Sequence, residues 1–323
     1  MVLWALFSLV GAAILTPWIY SAGKALAAHV IEAQQNGVEL SGFIESLGGS
    51  CDRAKIGRYF SRAWMFSALV GLPFLIRRVR KIGQANNAGK IMDLDKLGAK
   101  QSVLHLISGF IIAGGILWAV GMILAEAGAF AMKPNPDTSK LIGKCVMPAI
   151  IASLLEEWLF RGLVLGLWMR TSGAVKATIY SSLLFAFLHF LKPPGGVSDP
   201  THALAGFELV GKILLQFTQP QFFVTDFLTL TLIGILLCWA TLRTRSLWMA
   251  IGLHGGLVFA YLTFKLFYRA TKSPLHPWGV GDTLKSGVIP LLALLAMGVV
   301  SHFVIRQLMC PCRKKKREES QSA

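Results

Sequence analysis

Charge is scarce in this chain, and acid scarcer than base. Only 15% of its 323 residues are Asp, Glu, Lys or Arg, and the 16 acidic residues face 32 basic ones, for a net charge of +16. Soluble domains carry roughly 25% charged residues. With 54% hydrophobic residues and a mean hydropathy of +0.59, a soluble globular fold is excluded. Cysteine is also sparse. Cys51, Cys145, Cys238, Cys310 and Cys312 show neither metal-ligand spacing nor a paired framework, which argues against a zinc ribbon or a disulfide scaffold. A helical HExxH is absent, and no serine or cysteine sits in a nucleophile arrangement. The sequence has no internal repeat, so nothing supports an inverted-repeat transporter.

What is present is a series of apolar runs near or above the roughly 20 residues that cross a bilayer. They predict an all-α, polytopic transmembrane helix bundle of about eight spans: Val2–Tyr20, Phe60–Ile76, Val103–Phe130, Leu141–Trp168, Val175–Leu191, Phe222–Leu242, Leu247–Tyr268 and Gly287–Met309. The first run lacks a basic lead and a cleavage site, and reads as a retained helix rather than a signal peptide. Ala25–Ala33 reads as an interfacial helix and Leu204–Phe217 as an amphipathic helix on the membrane surface. Turn signals stand at Asn86, Asn87 and Gly89, at Lys133–Pro136 and at Lys192–Gly196. Three regions follow: N-terminal helices with a basic loop over 1–140, a core over 141–268, and a last helix with a basic tail over 269–323.

The positive charge does not point to nucleic acid. It clusters just after apolar runs, at Arg77–Lys81 and Arg313–Arg317, as the positive-inside rule requires, and the tail suits anionic headgroups. The basic loops put both termini in the cytoplasm, and the pattern fits a bacterial inner membrane.

Against this apolar background, three charges sit inside one span, at Glu156, Glu157 and Arg161. Each costs roughly 2.5–3.5 kcal/mol on insertion scales. Glu157 and Arg161 are four residues apart, share a helix face and can pair. Glu156 points about 100° away, with no local counter-ion. Two further spans bring His189, at the end of Phe185–His189, and His254, followed by Gly255 and Gly256. A carboxylate with two imidazoles is a set that activates a water and stabilises an oxyanion, without a covalent intermediate. The same three side chains also form a possible Zn²⁺ ligand set, or a proton relay in a transporter. A non-catalytic immunity protein is the remaining class.

Glu156-Glu157-Trp158-Leu159-Phe160-Arg161 resembles the EExxxR motif of the CPBP family (CAAX proteases and bacteriocin-processing enzymes, also called Abi). Phe185–His189 resembles its FxxxH motif, and Arg245–His254 the approach to its third motif. The resemblance covers about Leu141–Phe259. It implies a glutamate-dependent intramembrane endopeptidase that needs no metal or other cofactor. Its substrate would be a membrane-associated peptide or protein, its surroundings membrane lipid. By motif position Glu156 would be the general base and His189 would bind and polarise the water. His254 would stabilise the oxyanion, with Glu157, Arg161 and Phe185 shaping the site. Where eukaryotic CAAX-processing relatives carry an Asn four residues after this His, the chain has Val258. One amide donor of the oxyanion hole is therefore absent.

Overall fold

The computed structural model describes residues 2–85, 97–191, 202–220, 222–276 and 278–321. It is helical throughout, apart from one pair of three-residue strands. The Asn86, Asn87 and Gly89 turn and the Lys192–Gly196 stop lie outside the described residues. The chain divides into two compact units, residues 1–86 with 188–219, and residues 87–187 with 220–323.

The first unit holds α1 (Val2–Gln35), α2 (Gly42–Asp52), α3 (Ile56–Ala85) and α7 (Ala205–Gln216). The helices α1 and α3 run antiparallel. Trp4 donates to the Ala68 carbonyl, Gly11 abuts Ser67, and Gly23 abuts Tyr59. The expected interfacial helix at Ala25–Ala33 is instead the continuation of α1. Pro17 does not end that helix, but it has no N–H for the Ala13 carbonyl one turn back. That carbonyl is where Gly206 of α7 packs, so closely that a Cβ there would collide with it. The amphipathic segment at Leu204–Phe217 is therefore a helix, but its inward face (Ala205, Gly206, Leu209, Ile213) is buried, and it packs on α1 rather than lying free on a membrane surface.

The second unit holds α4 (Ala99–Glu126), α5 (Met147–Glu157), α6 (Leu165–His189 from its first residue through Phe187), α8 (Leu228–Thr244), α9 (Trp248–Phe267) and α10 (Val288–Gln321). The helices α4 and α9 are parallel and unusually close. Glycine contacts run in the same order along both: Gly252 on Leu106, Gly109 on Met249 and Leu253, Gly256 on Phe110, and Gly121 on Phe264. Short side chains allow backbones to approach where no water drives association. The two helices leave the bundle at the same end, where β1 (Phe130–Met132) and β2 (Tyr268–Ala270) pair antiparallel.

The expected fourth and fifth spans form one helical run folded back at Gly173, whose φ of 73° and ψ of 168° are open to glycine alone among common residues. Trp168 meets Tyr180 at 5.7 Å and Phe160 meets Phe185 at 5.1 Å between ring centroids. On a straight helix the second pair would stand about 37 Å apart, so the two halves are antiparallel neighbours. Among the described residues five helices are long and apolar enough to cross a membrane: Leu3–Gln35, Ala99–Glu126, Thr225–Thr244, Trp248–Phe267 and Val288–Leu308. The chain is thus an integral membrane helical bundle. The second span expected at Phe60–Ile76 lies within the longer α3, and the folded-back pair is built of shorter helices.

Candidate active site

The helix carrying the two glutamates changes character at the motif. From Trp158 to Val164 it widens into a π-type turn, a form that often marks functional positions. Glu157 and Arg161 still meet. Arg161 Nη1 lies 2.9 Å from Glu157 Oε1, and both side chains are fully buried. Arg161 Nη2 donates to the Gly234 carbonyl of α8 at 3.3 Å, and its guanidinium lies 4.5 Å from the Phe185 ring centroid. The cation is thus neutralised, hydrogen-bonded and covered by an aromatic face.

His254 enters from α9. Its Nδ1 donates to the same Glu157 Oε1 at 2.8 Å. One carboxylate oxygen therefore holds both an arginine and a histidine. The Phe185 ring stands edge-on to the imidazole at 6.0 Å and fixes it from the side. This hydrogen bond determines what the other ring nitrogen can do. Nε2 faces Glu156 Oε2 at 3.9 Å. That is too long for a direct hydrogen bond, yet short enough for one water to bridge them. Glu156 keeps 31% of its side chain exposed while Glu157 is at 0%. The two adjacent glutamates differ in access as well as in partners.

Glu156, Glu157, Arg161, Phe185 and His254 are thus gathered in one unit. His189 is the last residue of α6, half-buried, and belongs to the first unit. Val258 lies on α9 one turn past His254. The sequence offered no sign of the Gly234 carbonyl, because a backbone acceptor leaves no mark in residue identity.

Beside the cluster lies an apolar cleft of about 380 Å³ between α4, α5 and α9, bordered by Leu106, Phe110, Ile150, Ser153, Gly252 and Gly255. Ser153 stands one turn before Glu157, and Gly255 follows His254. The Ser153 hydroxyl is spent on the Ile150 carbonyl, so the cleft suits hydrocarbon.

The structure is thus a helical membrane bundle whose interior holds a Glu–Arg–His cluster next to a second, half-buried carboxylate. Residues 138–260, which hold this cluster, match the family model described as type II CAAX prenyl endopeptidase Rce1-like. That segment is therefore similar to this family of CAAX-type membrane endopeptidases. No curated protein and no solved structure matches the chain.

Proposed function

We propose that the protein is a glutamate-dependent endopeptidase that hydrolyses a peptide bond of a membrane-associated protein or peptide with an activated water. The observation that carries this reading is the pair Glu156–His254, a half-buried carboxylate whose Oε2 lies 3.9 Å from Nε2 of an oriented imidazole, within reach of one bridging water. Glu156 takes a proton from the bridging water as the oxygen attacks the scissile carbonyl. The proton then passes to the leaving amine as the tetrahedral intermediate collapses.

The developing oxyanion needs a donor. Because Nδ1–H is committed to Glu157, Nε2 of His254 donates only when the ring is an imidazolium. Glu157 is a positioning residue that holds the ring, and Arg161 holds Glu157. His189 takes the role of second imidazole on the water by its place in the Phe185–His189 motif. The apolar cleft receives the hydrocarbon part of the substrate, and the prenyl group in the family's description is of that chemistry. We place the protein in a bacterial inner membrane with both termini cytoplasmic.

Glu156→Gln tests the assignment. The variant retains its fold and loses about 10²–10⁴-fold in cleavage, the usual worth of a general base. The readout is terminal proteomics of membranes holding wild type or variant. Unchanged cleavage by Glu156→Gln would overturn the reading. A chelator separates it from a zinc enzyme built on Glu156, His189 and His254: cleavage persists here and stops there.

A further inference from the structure

At the end of the bundle where α4 and α9 leave together, a second histidine is held in a way that one of its protonation states does not permit. α4 ends in a glycine cap. Gly128, at φ 76°, turns the chain, with Gly128 N donating to Ala125 O and Ala129 N to Leu124 O. The connection from β2 to α10 folds over this corner. Its Val280 and Leu284 are buried among Leu124, Phe130 and Phe264. His276 lies between the two parts. Nδ1 is 2.8 Å from the Val280 carbonyl and Nε2 is 3.1 Å from the Ala129 carbonyl. The edge of the Phe130 ring flanks the imidazole at 5.9 Å.

Both partners are carbonyl oxygens, which only accept. A neutral imidazole has one N–H, and the imidazolium has two. We propose that His276 is a proton-operated staple that clamps the described residues around it, 273–276 and 278–281, onto the α4–β1 corner when charged and releases them when neutral. The bond to release is the one to Ala129. The Ala129 carbonyl is already satisfied by Thr271 N at 3.1 Å, whereas the Val280 carbonyl has the shorter bond to His276. In the neutral ring the Nε2 lone pair faces the Ala129 oxygen and repels it. The rest of the corner does not depend on the proton. The Lys133 ammonium caps the Lys265 and Leu266 carbonyls at the end of α9, and the β1–β2 pair persists.

Titratable or charged groups on the elements meeting here are Glu126 and Lys133 from the α4–β1 side. From α9 and β2 come Lys265, Tyr268 and Arg269, and along the connection itself Lys272, Asp282 and Lys285. Among the described residues none forms an ion pair with His276. The switch therefore rests on the two carbonyls. The charged ring can donate to both carbonyls and the neutral ring to one, so the clamp is present at acidic pH and lost as pH rises.

Hydrogen exchange of the full-length protein in lipid nanodiscs tests this, and it reads no activity, so its outcome is independent of the peptidase reading. After correction for the intrinsic pH dependence of exchange, wild-type amides in 273–281 exchange about fivefold faster at pH 8.0 than at pH 5.5, the worth of one net hydrogen bond. His276→Gln exchanges fast at both. Equal wild-type protection at the two pH values overturns the staple, as does a variant that keeps the wild-type pH response. If His276→Gln fails to fold, ¹⁵N-histidine spectra of the wild type decide. Two N–H signals for His276 at pH 5.5 and one at pH 8.0 support it, and a single tautomer throughout overturns it.

Discussion

Arg161 is the side chain on which the cluster's charge balance turns. Among the described residues it is paired with Glu157 together with the imidazole that it helps to place, and all three groups are nearly dry. Removing one partner of a buried pair leaves an uncompensated charge, at a cost of about 3–5 kcal/mol. Arg161→Ala therefore lowers the thermal midpoint and the yield of the purified protein, as well as activity. Glu157→Gln behaves differently. It keeps an amide oxygen as acceptor for the His254 Nδ1–H and for Arg161, so the geometry is held by hydrogen bonds, but the negative charge between the two is gone. The expected outcome is a folded protein whose kcat falls far more than its KM changes. Circular dichroism melts run beside cleavage assays separate the two. Loss of fold in Glu157→Gln as severe as in Arg161→Ala would make the cluster purely structural.

The seam between α4 and α9 holds His254 at its depth, and its tightness comes from glycines. A Cβ at Gly252 would collide with the Leu106 carbonyl, while one at Gly115 on the neighbouring helix would meet nothing within 4 Å. Gly252→Ala therefore costs about 1–3 kcal/mol by overpacking and displaces His254, whereas Gly115→Ala is neutral or slightly stabilising. Comparing the two melting temperatures checks it, because a general intolerance of α4 and α9 to methyl groups would lower both. At this scale much was legible in advance. Long apolar runs placed α1, α4, α8, α9 and α10, and the four-residue spacing of Glu157 and Arg161 marked their pairing. The hidden parts were those that residue identity does not encode. The π-type widening after Glu157, the fold-back at Gly173 and the shared oxygen of Glu157 all arise from three-dimensional packing. The helix expected at Leu204–Phe217 is present, but its packing on α1 was hidden for a similar reason. Its apolar face suits lipid and protein equally, and only the Pro17-freed carbonyl of α1 shows which one it meets.

For the whole molecule, the parallel course of α4 and α9 constrains how it crosses the bilayer. Both start at basic segments, α4 with Lys100 in its first turn and α9 after Arg243 and Arg245. Both end together at the β1–β2 pair. The positive-inside rule therefore assigns one orientation to the two helices, as their packing demands. The same rule puts the turn at Gly173, which carries Arg170 and Lys176, on the basic side, along with the C-terminal tail. It puts the His276 corner on the opposite side. Single cysteines at Lys176, Ser320 and Lys272, in a protein freed of its five natural cysteines, make this measurable with a membrane-impermeant maleimide. In intact cells Lys272→Cys reacts at once, and Lys176→Cys and Ser320→Cys react only after permeabilisation. Labelling of Lys272→Cys and Lys176→Cys from the same side would break the link between the basic loops and the parallel seam. It would also move the proton-sensitive corner to the compartment of the tail. If Lys272→Cys labels from outside, the His276 corner meets the external pH, and a clamp released by loss of a proton would respond to it.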